Sequence, residues 1–325
     1  MAPGEDSRDG GGGEGGHDSP KAVLAALAAN LGIAVAKIVG FVVTGSSAML
    51  AEAVHSIADT TNQLLLLLGR RASRRRASAE HPFGFGRERY FYGFVVALLI
   101  FTIGCVFALY EGINKIVSPH PMDSPLVAVV ILAVALCLEG YSFRTAIREA
   151  RPLKGSASWW RFVHTATTPE LPVLLLEDSG ALVGLVFALV GVGVSELTGN
   201  PVWDGIGSVA IGALLGVIAV ILIMEMKSLL IGEGAGPELL ASITGELAQG
   251  KIERVIHIRT EYLSPDELLV AAKIALTAGL PLHEVARAID EAESRVRSAV
   301  PHARLIYLEP DLDRGSGNGS VASRS

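Results

Sequence analysis

Cysteine is almost missing from this 325-residue chain: Cys105 and Cys137 are the only two, each lies in an apolar stretch, and they form no CxxC pair. That excludes a disulfide framework and a thiolate zinc cluster. Charge is scarce at 18% of residues, and aromatics reach only 6%. Lys plus Arg number 27 against 33 Asp plus Glu, giving a formal charge of −6, so the basic surface a nucleic-acid partner needs is absent. No HExxH segment occurs, which removes an intramembrane metalloprotease of that type. With 50% hydrophobic residues and a mean hydropathy of +0.45, the composition is too apolar for a soluble metabolic enzyme.

Residues 1 to 20 hold seven glycines and no apolar cluster, so a disordered tail is expected there, with a second at 313 to 325. The leader has neither the basic patch and short apolar core of a secretory signal nor the Arg-rich, acid-poor composition of a mitochondrial transit peptide.

Between the tails, apolar runs of spanning length lie at roughly 22 to 43, 48 to 68, 91 to 113, 125 to 147, 170 to 193 and 203 to 226. At about 1.5 Å of rise per residue, each covers the roughly 30 Å of a hydrocarbon core. The expectation is an α-helical membrane protein with six transmembrane helices over 21 to 230. Arg70, Arg71, Arg74, Arg75, Arg76, Arg87 and Arg89 follow the second run, and Arg148, Arg151, Lys154 and Arg161 follow the fourth. The positive-inside rule puts both basic loops, and both termini, in the cytoplasm.

From about 231 to 312 the chain is more charged and its apolar runs shorter. A helix is expected at 236 to 249 and strands at 252 to 262, 266 to 277 and 303 to 309. Leu282, Val285, Ala286, Ile289, Ala292, Val296 and Ala299 recur at helical spacing before the last strand. The order αββαβ describes a small cytoplasmic α+β domain.

Polar residues inside the apolar runs carry the chemistry. His55 and Asp59 are four apart in the second run and share one helix face, with Glu52 and Asn62 near the same stripe. Glu177 and Asp178 lie about two turns into the fifth run. A carboxylate near the bilayer centre costs about 2.5 to 3.5 kcal/mol on insertion scales, so it persists where it meets a partner, a cavity or an ion. An imidazole with carboxylates is a ligand set for a divalent first-row ion, zinc being the most frequent. The same residues also suit a buried polar network that fastens helices. Lys37 and Glu139 read as an interhelical pair or snorkelling groups, with proton coupling as the other reading. Gly205, Gly212 and Gly216 in the sixth run suit close helix packing. His81, His257 and His283 read as loop and fold residues.

Asn30 and Lys37, SSAMLAEAVHSIAD at 46 to 59, HPFGFGRERY at 81 to 90, EDSGAL at 177 to 182 and YLEP at 307 to 310 together resemble the cation diffusion facilitator family over roughly 21 to 311. DTTNQ after the HxxxD pair, and GNPVWDGIGSVAIGALLG into the sixth run, are similar to the branch of the animal mitochondrial zinc transporter. The resemblance implies a ferredoxin-like cytoplasmic domain and a homodimer that exports a divalent cation against protons by alternating access. Zn2+ is the first choice, with Mn2+, Fe2+, Co2+ and Cd2+ open; no resident cofactor is implied. His55, Asp59 and Asp178 are the expected ligands, with Glu177 as a fourth. Leu174 stands where the family usually has a ligand. Phe85 replaces the second histidine of the loop-borne site, and Lys273 and Tyr307 replace soluble-domain ligands. A membrane-embedded metal sensor without transport is the rival reading. The leader suggests a bacterial plasma membrane.

Overall fold

The computed structural model describes residues 20–156, 158–165 and 170–312; the expected tails, apart from Pro20, lie outside the described residues. The helices are α1 (Pro20–Thr44), α2 (Ser47–Ser73), α3 (Glu88–Leu99), α4 (Phe107–Val117), α5 (Pro125–Lys154), α6 (Trp159–Thr165), α7 (Glu170–Thr198), α8 (Val202–Ile231), α9 (Pro237–Leu247) and α10 (Leu282–Ala299). A π-helical stretch, Ile100–Val106, joins α3 to α4 without a break. The strands are β1 (Ile252–Ser264), β2 (Glu267–Leu276) and β3 (Leu305–Pro310).

Among the described residues, four helical segments are long and apolar enough to cross a membrane: Glu88–Val117, Pro125–Pro152, Pro172–Thr198 and Val202–Ile231. In α1 the apolar stretch within reach is the shorter Leu31–Thr44. The 27-residue α2 is long enough, but Glu52, His55, Asp59, Asn62, Arg70 and Arg71 dilute its apolar character. Its faces explain how it is accommodated. Glu52, His55 and Asn62 are buried against neighbouring helices, whereas Ile57, Leu64 and Leu68 are exposed. This is the reverse of a soluble amphipathic helix and is what lipid selects. The chain is an α-helical membrane protein with a small C-terminal sheet.

Sequence sets the joints. Gly45, at φ 64°, ends α1 in the left-handed region that glycine adopts without strain. Ser46 then caps α2, its hydroxyl accepting from the Met49 amide at 3.2 Å. The segment from α3 to α4 packs on α8 through glycine. A Cβ on Gly112 would stand 2.7 Å from the Gly205 carbonyl oxygen, and one on Gly205 would stand 2.8 Å from that of Gly112. The apolar core runs through these helices, with Val96, Ile100, Leu132, Leu185, Ile211, Leu215 and Leu222 buried in one cluster.

The C-terminal elements follow the expected order α9, β1, β2, α10, β3. β1 pairs antiparallel with β2, and β2 pairs parallel with β3, giving the sheet order β1-β2-β3. A parallel pair needs a crossover, which α10 supplies. Alternate residues Leu268, Val270, Ala272 and Ile274 of β2 bury into a second core with Ile243 and Leu247 of α9 and Ala292 and Val296 of α10.

Candidate metal centre

The residues singled out in α2 and α7 meet unequally. His55 Nδ1 lies 3.5 Å from Asp59 Oδ1 within α2. Across the gap, Asn62 Nδ2 donates to Glu177 Oε1 at 2.6 Å. Asp59 and Asn62 stand four and seven residues after His55 on α2, and the Asn62 bond brings the carboxyl of Glu177 to that helix. Carboxyls buried on two facing helices are costly unless a proton, a donor or a cation meets them. Asp178, 9% exposed, makes no hydrogen bond or ion pair among the described residues, and its Oδ2 is buried without a partner. Glu177, rather than Asp178, is therefore the α7 residue that reaches α2.

His55 Nε2, Asp59 Oδ1, Asn62 Oδ1, Glu52 Oε1 and Asp178 Oδ2 are all buried atoms with no hydrogen-bond partner. An unpaired buried polar atom is costly, and five around two facing helices call for a proton, water or an ion to satisfy them. In the arrangement seen, no group of three His, Cys, Asp or Glu side chains among the described residues is gathered in a form that holds a metal ion.

Lys37 finds its partner in α2. Its ammonium, fully buried, lies 3.1 Å from Glu52 Oε2 and donates to Ser56 Oγ at 2.7 Å. The sequence placed Lys37 and Glu139 among interhelical pairs without naming this one. Glu52 Oε1 in turn lies 2.7 Å from the place a Cβ on Gly184 would take, so α7 approaches α2 closely there. In the basic loop the His81 ring stacks on Phe85 at 4.5 Å. In the sheet, Lys273 pairs with Glu309 at 3.1 Å and Asp311 at 3.4 Å, and His257 Nε2 accepts from Arg259 Nε at 3.0 Å.

A second buried polar cluster escaped the sequence reading. Asp204, in the first turn of α8, accepts from Ser46 Oγ at 2.7 Å, from the Ser47 amide at 2.8 Å and from the Ala48 amide at 3.3 Å. Lys115 Nζ donates to the Gly45 carbonyl at 3.0 Å and lies 3.9 Å from Asp204 Oδ2. The carboxylate thus closes the open N-terminus of α2 from another helix.

The model of the cation efflux transmembrane domain matches residues 23–231. The chain belongs to the cation diffusion facilitator family. Within it, the chain is near the animal mitochondrial zinc transporter branch. It is 36% identical over 240 residues to the mouse (Mus musculus) protein named proton-coupled zinc antiporter SLC30A9, mitochondrial, covering 73% of this chain and 42% of that one. Its Xenopus laevis counterpart is 38% identical over 223 residues, covering 68% of this chain and 40% of its own length. The chain thus spans about two fifths of the length of these relatives. The manganese efflux system protein MneP of Bacillus subtilis is 25% identical over 304 residues, covering 90% of this chain and 96% of its own.

These findings correct the expected location. The relatives 35–38% identical are named mitochondrial, and a mitochondrial membrane, rather than a bacterial plasma membrane, is what they point to. The expectation rested on the composition of the first 20 residues, which lie ahead of the matched segment 23–231, whereas the similarity rests on the helices themselves.

Proposed function

We propose that this cation diffusion facilitator protein exports a divalent cation, Zn2+ first, in exchange for protons, as a homodimer with six spans and a ferredoxin-like soluble domain over 231 to 312. It is a transporter and not an enzyme. The naming of the relatives favours a mitochondrial membrane, with the basic loops and the soluble domain on one side. His55, Asp59, Asp178 and Glu177 supply the ligands. The observation that carries this reading is the set of unpartnered buried atoms His55 Nε2, Asp59 Oδ1 and Asp178 Oδ2 beside the Asn62–Glu177 hydrogen bond that joins α2 to α7.

The chemistry follows from that arrangement. A divalent ion entering between the carboxyls displaces whatever proton they share, and an imidazole that binds metal must be neutral. Protons return when the ion leaves, so metal and proton alternate on one set of atoms. Loading draws Asp178 in beside Asp59 and Glu177, and rocking of helices around the site exposes it to either side.

The test is metal-dependent proton flux in proteoliposomes across Zn2+, Mn2+, Fe2+, Co2+ and Cd2+. Asp59→Ala and Asp178→Ala are each expected to lower zinc flux on the order of a hundredfold, as loss of direct ligands should cost at least as much as loss of their supports. Flux at the wild-type rate in either variant overturns the assignment. Binding without flux would establish the sensor instead, and zinc uptake with no pH change would discard antiport. Faster Mn2+ than Zn2+ flux would favour the reading that the similarity to MneP supports.

A further inference from the structure

Arg89 stands where three parts of the molecule meet. Its Nε donates to Glu170 Oε1 at 2.7 Å, and its Nη1 donates to Asp266 Oδ2 at 3.1 Å. Glu170 is the first residue of α7, and Asp266 lies in the turn between β1 and β2. Arg89 itself lies in the first turn of α3 and is mostly buried, its side chain 13% exposed. Two neighbours press the same loop onto the sheet. Arg87 pairs with Glu261 of β1. A Cβ on Gly86 would stand 2.6 Å from the Leu263 carbonyl oxygen, so the backbone there leaves no room for a side chain. The β1–β2 turn is thereby joined to the loop, and Arg89 joins both to the first turn of α7.

We propose that Arg89 is a positioning residue: by clamping Glu170 and Asp266 together it ties the soluble domain to α7 and sets the height and rotation of the helix bearing Glu177 and Asp178. Glu177 and Asp178 follow Glu170 by seven and eight residues, about 11 Å along a rigid helix. A small rotation at the first turn reaches them undiminished. Arginine suits the task because its planar fork holds two carboxylates at once, which a lysine ammonium does not do with fixed geometry. Glu170 Oε2 and the Tyr90 hydroxyl are buried beside the clamp without partners, so the junction has donors and acceptors in reserve for a second arrangement.

The inference rests on the transport reading, and the test separates the two. Zinc uptake is measured in proteoliposomes for the full chain and for Arg89→Gln, Asp266→Asn, the double variant and Arg89→Lys, with rates normalised to folded protein. Both single variants are expected to raise the zinc KM about fivefold, the lower end of ordinary inter-site coupling, with maximal rate within about twofold of wild type. The double variant should be no worse than Arg89→Gln, and Arg89→Lys should keep the raised KM. Hydrogen exchange in the first two turns of α7, which needs no transport, should quicken in Asp266→Asn. An unchanged KM in either single variant, multiplying effects in the double, or unchanged exchange overturns the proposal. Asp266 is largely exposed, so Asp266→Asn decides the matter if Arg89→Gln does not fold. Wild-type protein without saturable uptake would refute the transport reading instead, and exchange then judges the clamp by itself.

Discussion

Lys37 shows what a single residue must satisfy inside an apolar bundle. Its ammonium has Glu52 and Ser56 as partners and no route to water, since all three are buried. Removing one member of a buried ion pair leaves the other charge uncompensated, at about 3–5 kcal/mol, whereas replacing both by neutral groups is far milder. Lys37→Met is therefore expected to lower the thermal midpoint of the detergent-solubilised protein sharply, and Lys37→Met with Glu52→Gln to regain at least half of the loss; a double variant no better than the single would show that the pair is not the reason. The candidate site was readable at this scale because ionisable residues inside apolar runs are anomalous, as at His55, Asp59, Glu177 and Asp178. Which oxygen meets which was not readable. Glu177 and Asp178 point about 100° apart on their helix, and the rotation of α7 is fixed by packing such as Gly184 against Glu52. Asp204 stayed hidden for a different reason: an acid in the first turn of a helix is ordinary, and nothing local shows that it caps α2.

Elements are held by contacts of graded tolerance, and glycines measure the gradation. At Gly112 a Cβ would strike backbone, the Gly205 carbonyl and the Val209 amide, each at 2.7 Å. At Gly216 it would meet the Cys105 sulfur at 2.9 Å, a side-chain atom with room to turn, and at Gly193 nothing lies within 4 Å. Gly112→Ala should therefore cost about 1–3 kcal/mol as overpacking forces α4 from α8. Gly216→Ala should cost less, and Gly193→Ala, in the interior of α7, should be neutral or stabilising by up to about 1 kcal/mol. Thermal midpoints in one detergent check the ranking, and a Gly112→Ala protein as stable as wild type would sink it. Runs of apolar residues announced the helices of the membrane part, and alternation announced the three strands, because both periods are set by local geometry. Their ends were less visible. α2 continues to Ser73 through Arg70 and Arg71, since a helix does not stop where its apolar stretch does. The short α6 has too few residues for a periodic signal.

At the scale of the whole molecule, the two apolar clusters share no residue. The membrane cluster runs from Ala48 to Leu222, and the other draws on Ile243, Leu247, Val270, Ile274, Ala292, Val296 and Ile306, all beyond α8. Ion pairs between them among the described residues include the Arg89 clamp, the Arg87–Glu261 pair and a 3.6 Å pair of Arg161 with Glu238. Polar contacts at a partly exposed junction contribute little to global stability, and a core buried within its own segment is what independent folding requires. Residues 231 to 312, expressed alone, should therefore fold. About 80 residues is enough for a marginally stable domain without metal or disulfide, and the parallel β2–β3 pair with its α10 crossover lies wholly inside the segment. The expected result is a cooperative urea transition followed by circular dichroism, with a slope of about 1 kcal/mol/M, the low end for small domains. A broad, non-cooperative loss of signal would mean that the membrane helices supply part of that core after all. The clamp would then be a structural weld, not a joint through which one folded body adjusts another.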